Sequence, residues 1–246
     1  MNRYQILIEY LGTSFVGWQI QAKGISVQKI IQSTLSKLLK RKITLYGSGR
    51  TDSGVHALEQ SAHFDLNFQI KNIDKLIKSL NYFLNKKKVS IIDIKRKKLN
   101  FHARHSAKER SYIYLILNRK AMSTINIDRV WHVRKKLDLN LIKKGAKILI
   151  GTHDFSTFRA TNCNAKSPVR TMNGITITKS KDKIKFKFKS KSFLKSQVRS
   201  MVGCLKYLGE KKWSLIKFEN VFKNKDRKKV APPAPACGLY LEKIIY

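Results

Sequence analysis

The residues most able to do chemistry lie in the run Gly47-Ser48-Gly49-Arg50-Thr51-Asp52-Ser53-Gly54-Val55-His56-Ala57. The Arg50 guanidinium and the Asp52 carboxylate stand two residues apart, in a segment too rich in glycine for a helix and too polar for a core. Because glycine permits positive φ and close backbone approach, the run suits a site that holds both side chains beside a ligand. An ordinary turn between strands is the alternative. The run lacks a Lys-Ser/Thr ending and G-x-G-x-x-G spacing, so it does not match a nucleotide-binding loop.

Two further segments carry histidine or aromatic side chains. His102 and His105, in the segment 101–105, have the chemistry of metal ligands, but no acidic or cysteine partner stands nearby in the sequence, which argues against a metal site. Tyr112 and Tyr114 share one face of a strand by period two. They are either core aromatics or a platform on which a base stacks, and the sequence leaves both interpretations open.

An arginine and a proline-rich segment complete the candidates. Arg199 lies at the edge of an apolar helical stripe, where arginine usually extends to solvent but forms a bidentate pair when a carboxylate is near. The segment 231–235 contains three prolines and leads into Gly238 and Leu239. It is either a stiff linker into a last strand or a wall that directs Leu239 into a cleft.

The charge balance restricts the class of partner. Among 246 residues, 52 Lys and Arg stand against 15 Asp and Glu, giving a formal net charge of +37 at pH 7. Such an excess indicates a polyanionic partner, and nucleic acid is the first candidate. Lysine greatly outnumbers arginine, and Ile and Asn are plentiful, as an AT-rich genome would produce. A functional basic face and compositional drift are therefore the two interpretations, and the first is favoured.

Cysteine usage and the start of the chain indicate the compartment. Cys163, Cys204 and Cys237 are odd in number and form no C-x-x-C pair, so neither a disulfide framework nor a zinc knuckle is expected. Residues 1–10 alternate polar and apolar side chains, unlike a signal sequence, and no apolar run approaches membrane length. We expect a soluble protein of the reducing cytoplasm with no membrane partner.

Hydrophobic periodicity predicts the elements that position the first candidates. An alternating strand opens the chain, and helical spacing over 27–39 follows Ser26, a plausible cap. After the Gly47–Gly54 segment come a strand through 62–66, a helix over 73–84 and a strand over 89–94. The first half is thus β-α-site-β-α-β.

The second half has a comparable pattern without sequence identity to the first. A strand over 112–117 precedes a helix over 141–149, with Asp138 as candidate cap and Gly151 as its stop. Residues 183–189 alternate lysine with apolar side chains, which predicts a strand with one buried and one strongly cationic face. A helix over 194–208 follows. We therefore predict an α+β fold of two similar domains, each a mainly antiparallel sheet backed by helices, ferredoxin-like or RNA-recognition-motif-like.

From end to end the chain resembles the tRNA pseudouridine synthase A family, which isomerises uridines in the tRNA anticodon arm. Four ordered matches carry the resemblance, and the first alone is highly specific. Ser53 stands where the family usually has alanine, a small-for-small change. The matches are Gly49-Arg50-Thr51-Asp52-Ser53-Gly54-Val55-His56-Ala57; Phe101–Arg104 with Ser111-Tyr112-Ile113-Tyr114; Phe193-Leu194 with Gln197-Val198-Arg199-Ser200-Met201-Val202-Gly203; and Ala231-Pro232-Pro233 with Gly238-Leu239-Tyr240-Leu241.

The resemblance implies a role for each candidate. Asp52 would be the catalytic aspartate, and Arg50 would contact RNA and help to displace the target base. Tyr112 would pack on the flipped uracil, Arg199 would pair with the aspartate, and Leu239 would line the pocket. The family pattern further implies two α+β domains, here 1–105 and 106–246, around a central active-site cleft. It also implies a homodimer acting on uridines of the anticodon stem-loop (tRNA positions 38–40).

The implied reaction needs neither cofactor nor metal. It breaks the N1–C1′ glycosidic bond, rotates the uracil and joins C5 to C1′, so one carboxylate suffices. Asp52 would either attack C1′ or abstract the C2′ proton, and the sequence leaves both routes open. A guanidinium beside that carboxylate would keep it ionised against desolvation. The competing hypothesis is a non-catalytic basic RNA-binding protein, which charge alone would support.

Overall fold

The computed structural model describes residues 1–246. The chain forms five helices and ten strands, which are, in chain order, β1 (Asn2–Tyr10), α1 (Val27–Leu39), β2 (Tyr46–Gly47), β3 (His56–Leu66), α2 (Ile73–Leu84), β4 (Val89–Lys97), β5 (Glu109–Asn118), β6 (Trp131–Val133), α3 (Leu139–Ile148), β7 (Gly151–Asp154), β8 (Val169–Ser180), β9 (Lys183–Ser190), α4 (Gln197–Gly209), α5 (Leu215–Lys223) and β10 (Leu239–Ile245). None of the helices combines the length and the apolar character needed to cross a membrane.

The chain divides into two compact units. Unit 1 comprises Met1–Lys108 with Tyr240–Tyr246, and unit 2 comprises Glu109–Leu239. The units differ from the sequence-based ranges 1–105 and 106–246 mainly at the end of the chain. There β10 pairs in parallel with β3 and so joins the first unit. That residues 1–105 and 106–246 form the two domains of the chain stays a prediction.

The sheet of unit 1 has the strand order β4-β1-β3-β10, with the short β2 also beside β3. Strand β1 is antiparallel to both β3 and β4, and β2 is antiparallel to β3. Tyr4, Ile6 and Ile8 are buried on one side of β1, as the alternation predicts. The order β4-β1-β3-β2, with one helix after β1 and another after β3, is ferredoxin-like.

Polar caps start both helices of unit 1. Ser26 Oγ accepts the Lys29 N–H at 3.3 Å, and Asn72 Oδ1 accepts the Lys75 N–H at 2.8 Å. Such caps satisfy donors that a helix leaves unpaired and contribute about 1 kcal/mol each. The helices predicted over 27–39 and 73–84 are confirmed.

The sheet of unit 2 has the order β5-β9-β8-β7, antiparallel throughout, while β6 runs parallel to β5. Ile184, Phe186 and Phe188 of β9 are completely buried, whereas the residues between them are lysines that are exposed or half-buried. The predicted strand with one buried and one cationic face is therefore confirmed. The predicted α+β class with mainly antiparallel sheets is confirmed as well.

Local hydrogen bonds decide where the helices of unit 2 begin. Asp138 Oδ1 accepts the Leu141 N–H at 3.0 Å and starts α3 as predicted. Helix α4 begins at Gln197, later than the predicted 194. The reason is that Ser196 adopts a left-handed φ of +61° and Gln197 Oε1 accepts the Leu194 N–H at 2.8 Å. Strand β8 was not predicted, although Ile175 and Ile177 alternate with Thr176 and Thr178; the bulge between Met172 and Gly174 precedes that stretch.

Candidate active site

The segment between β2 and β3, residues 48–55, carries Arg50 and Asp52 and is called the aspartate loop below. Its first half is held by Gln60, a completely buried side chain of β3. Gln60 Oε1 accepts the Ser48 hydroxyl at 2.8 Å, and Gln60 Nε2 donates to the Gly49 carbonyl at 3.0 Å. These bonds fix the backbone that leads into Arg50, whose own side chain is exposed.

Thr51, between the two charged residues, anchors the middle of the aspartate loop. It is buried, and its hydroxyl hydrogen-bonds the Tyr10 hydroxyl at 2.8 Å. Its carbonyl accepts the Trp18 N–H at 3.1 Å. Because both the side chain and the carbonyl of Thr51 are fixed, the chain presents Arg50 and Asp52 on either side of a rigid point. Asp52 is half-buried.

A tight turn ends the aspartate loop. The Val55 N–H donates to the Asp52 carbonyl at 3.1 Å, and Gly54 has φ +76°. Positive φ at the third position of a four-residue turn favours glycine, which explains the glycine after Ser53. Ser53 Oγ donates to the Phe15 carbonyl at 3.1 Å, a bond that alanine at this position would lack.

His56, the first residue of β3, fixes the exit of the loop. Its Nδ1 accepts the Gly12 N–H at 2.9 Å, and its ring centroid lies 4.5 Å from that of Tyr240 on β10. His56 is buried. Sequence reasoning assigned no role to Gln60 or His56, although His56 belongs to the quoted motif. The place of His56 in the quoted motif is a signal that could have identified it, whereas no local sequence pattern marks Gln60.

Tyr112 and Tyr114 of β5 are both buried. The Tyr112 ring meets Phe193 edge-to-face, with centroids 5.0 Å apart. The Tyr114 hydroxyl donates to the Pro235 carbonyl at 2.8 Å, and burial raises the Tyr114 pKa well above its usual value of 10. Tyr114 is therefore a core aromatic with one satisfied hydroxyl, whereas the stacking role of Tyr112 stays a prediction.

Arg199 lies in the first turn of α4 and is tied to the proline-rich segment 231–235. Its Nε donates to the Ala234 carbonyl at 2.7 Å, and the Ala234 N–H donates to the Arg199 carbonyl at 2.9 Å. Gly203, one turn later, allows the Pro232 carbonyl to approach the helix more closely than any Cβ would permit. The proline-rich segment thus packs along α4 rather than acting as an open linker.

Leu239 begins β10 directly after a 3-10 turn, Ala236–Gly238. It is buried, and Gly238 lies against the Tyr114 ring. The structure therefore places Arg50 and Asp52 in one loop of unit 1. Tyr112, Arg199 and Leu239 lie in unit 2, where the Tyr114 and Arg199 contacts both converge on residues 234–235.

The two histidines considered as metal ligands, His102 and His105, lie in a cluster with His63. The ring centroids of His102 and His105 are 4.4 Å apart, and the His63 centroid is 4.6 Å from that of His102. Burial is the main cause that lowers the pKa of His63 from 6.5 to about 4, and it also lowers the pKa of His102. His102 Nδ1 accepts the Arg104 N–H at 3.1 Å. No three His, Cys, Asp or Glu side chains are arranged to hold a metal ion.

Comparison with known proteins identifies the family. A family model described as tRNA pseudouridine synthase matches residues 6–106 and 146–246, which include all the candidate site residues except Tyr112. The chain therefore belongs to the tRNA pseudouridine synthase family, whose members are isomerases that convert uridine to pseudouridine.

Curated relatives match the whole chain. A protein named tRNA pseudouridine synthase A from Pelagibacter ubique is 61% identical over 246 residues, covering all of both chains. Proteins of the same name from Paramagnetospirillum magneticum and Maricaulis maris are 44% and 42% identical. They match all of this chain and cover 96% and 98% of their own lengths. The resemblance stated from the four motifs is confirmed at the level of the family.

Proposed function

We propose that this protein converts uridines of the tRNA anticodon stem-loop (positions 38–40) to pseudouridine, with Asp52 as the catalytic residue. The observation that carries the proposal is the geometry of the aspartate loop. Buried bonds at Gln60 and Thr51 fix the backbone on the N-terminal side of Asp52, and Asp52 itself is only half-buried. A rigid backbone that carries an accessible carboxylate is the arrangement a general base or nucleophile requires.

The proposed reaction is an isomerisation, so the composition of the nucleotide is unchanged although the C5 hydrogen is exchanged. The N1–C1′ bond breaks, the uracil rotates, and a C5–C1′ bond forms while the C5 proton is released and N1 gains a proton. In one route Asp52 attacks C1′ and is later displaced by C5. In the other it removes the C2′ proton to give a glycal and returns it. Both routes give Asp52 the same position beside the ribose.

Arg50 and Tyr112 are proposed to hold the extruded nucleotide. A base in a stem must be flipped before its ribose is reached, at a cost of a few kcal/mol. The Arg50 side chain is exposed. Its guanidinium could therefore bind a phosphate group or fill the space that the flipped base leaves between its neighbours in the stem. Tyr112, braced edge-to-face by Phe193, would supply the aromatic surface for uracil.

Arg199 and Leu239 are proposed to complete the site. A guanidinium that pairs with Asp52 would keep that carboxylate ionised. The Nε bond to the Ala234 carbonyl supports this role because it restrains the guanidinium. Leu239 would supply an apolar wall, which excludes water from the reacting base. The action of two copies as a homodimer is part of the same proposal.

The net charge of +37 and the relatives named for tRNA support a tRNA substrate. The competing function, a non-catalytic RNA-binding protein, shares this charge but needs no ordered carboxylate. Mapping of pseudouridine in an unmodified tRNA transcript separates the two. We expect new pseudouridine only in the anticodon arm after incubation with the wild type. Tight binding with no pseudouridine at any position would support the RNA-binding function instead.

A further inference from the structure

One surface of unit 2 is not used by the proposed chemistry. Four lysines of β9 project from one side of the sheet, and two threonines of β8 lie beside them. We call this surface the lysine face, and its members are Lys183, Lys185, Lys187, Lys189, Thr176 and Thr178. We propose that the lysine face binds the phosphate backbone of one tRNA strand.

The strand geometry sets the spacing of the charges. Residues two apart in an antiparallel strand are separated by about 6.8 Å. The four lysines therefore form a row about 20 Å long, with steps close to the separation of successive phosphates in a polynucleotide. Thr178 is directly opposite Lys185, and Thr176 is opposite Lys187. Their exposed hydroxyls lie in the row next to the ammonium groups and are suited to donate to the same phosphates.

The other side of β9 makes this row rigid. Phe186 and Phe188 are completely buried and stack with an interplanar angle of 5°. Strand β9 is also hydrogen-bonded on both edges, by β5 and β8. Because the backbone is fixed from three sides, only the lysine side chains lose freedom when a polyanion binds. The row is a pre-organised surface rather than a mobile basic tail.

The charge of the face suits an anion. Strands β8 and β9 contain no acidic residue, and Lys183, Lys185 and Lys189 are exposed. Lys187 is half-buried, and Lys183 Nζ makes a hydrogen bond with Asn126 Oδ1 at 3.4 Å. Lys183, Lys185 and Lys189 place like charges on one side of the strand, which does not stabilise the fold. A polyanion bound to these three exposed lysines accounts for the arrangement.

The inference rests on the proposed function, because tRNA is taken as the polyanion. It goes beyond that function because it assigns the binding of tRNA phosphates to a surface that holds none of the proposed catalytic residues. Since phosphate contacts carry no sequence information, the face would set affinity and orientation and leave the choice of uridine to the site itself.

The test compares two triple variants with equal loss of charge. The first is Lys183→Gln, Lys185→Gln, Lys189→Gln. The control is Lys143→Gln, Lys144→Gln, Lys147→Gln, which removes three exposed lysines of α3 in the same unit. Binding of a labelled tRNA transcript is measured between 50 and 300 mM salt, together with kcat and KM for pseudouridine formation.

We expect the lysine-face variant to bind tRNA at least tenfold more weakly at about 100 mM salt, with KM raised and kcat unchanged. The slope of log affinity against log salt should fall by about two to three, because each lost phosphate contact removes about 0.7–0.9. The control should change affinity less than threefold. Unfolding midpoints should match the wild type, since the substituted side chains are exposed.

Three outcomes would overturn the inference while leaving the proposed function intact. They are equal losses in both variants, no loss in either variant, and a change of molecular mass of the lysine-face variant in light scattering. The last would mean that the face joins protein copies. If the wild type binds tRNA through the lysine face but forms no pseudouridine, the proposed function fails and the inference about the surface stands.

Discussion

The aspartate loop and the lysine face present charge in two different ways. The loop is irregular, and buried side chains such as Gln60 and Thr51 hold its backbone through specific hydrogen bonds. The lysine face needs only the period-two alternation of β9, whose other side is packed in the core. Catalysis requires one carboxylate at a defined position. Binding of tRNA phosphates requires only several positive charges at regular spacing. The two regions should therefore respond very differently to substitution.

The largest expected effect is at the anchor of the loop. Gln60→Leu removes the partners of the Ser48 hydroxyl and the Gly49 carbonyl. Loss of these two buried hydrogen bonds should lower the free energy of unfolding by about 2–4 kcal/mol. Displacement of Asp52 should reduce turnover by about 100-fold or more. Chemical denaturation and kcat measure the two effects. The exposed Gln69→Leu is the control, and equal losses in both variants would refute an anchoring role.

A smaller effect is expected at the middle of the loop. Thr51→Val keeps the shape but removes the hydroxyl that meets Tyr10 at 2.8 Å. We expect a loss of about 1 kcal/mol in unfolding free energy and about tenfold in turnover. A double-mutant cycle with Tyr10→Phe should give a coupling energy of about 1 kcal/mol. Additive losses would show that this hydrogen bond does not hold the loop.

Acid should distinguish the two regions next. His63 stacks on Tyr46 of β2, the strand that enters the loop, with ring centroids 5.0 Å apart. Its folded pKa of about 4 lies below the usual 6.5, so the unfolded chain binds the extra proton first. This contribution to stability is present above pH 6.5 and is lost as the pH falls towards 4. The lysine face contains no histidine.

Denaturation of wild type and His63→Gln at several pH values between 7 and 4 measures this contribution. We expect the stability of the variant to fall less steeply with acid than that of the wild type. If the unfolding free energies of the two proteins fell equally with pH, protonation of His63 would not be what destabilises the protein in acid.

The smallest effect is expected on the stability of the lysine face. Lys185→Gln should leave the free energy of unfolding within about 0.5 kcal/mol of the wild type, because an exposed side chain on a fixed strand contributes little. A larger loss would mean that Lys185 supports the fold, and would weaken the contrast between the two regions. Thermal unfolding of this variant beside Gln60→Leu makes the comparison direct.

Much of the fold could be predicted because its signals are local. Alternation in residues 183–189 predicts β9 and its cationic side, and the caps Ser26 and Asp138 mark helix starts that the structure confirms. Strand β8 was missed although residues 175–178 alternate, and its first residues, before the bulge between Met172 and Gly174, show no clear alternation. The start of α4 was placed too early because Ser196 has a left-handed backbone, which a helix cannot include and which the spacing of apolar residues does not reveal.

The site could be predicted only in part. Arg50 and Asp52 became candidates because glycine spacing and residue type are visible in the sequence, and their roles stay predictions. The anchors did not become candidates, because Gln60 and Tyr10 reach the loop from β3 and β1 through tertiary contacts that no local pattern encodes. The same holds for residues 231–235, which pack along α4 through tertiary contacts. From the sequence alone they could equally have been a linker or the wall of a cleft.

The most direct test of the central claim is tritium release from a tRNA transcript that carries 5-tritiated uridine. Formation of the C5–C1′ bond expels the C5 hydrogen, so release reports the reaction itself. The wild type and the control Asp93→Asn, which alters a carboxylate paired with Lys95 on β4, should both release tritium. Asp52→Asn should fold and bind tRNA but release none. Release by Asp52→Asn at the wild-type rate would contradict the account.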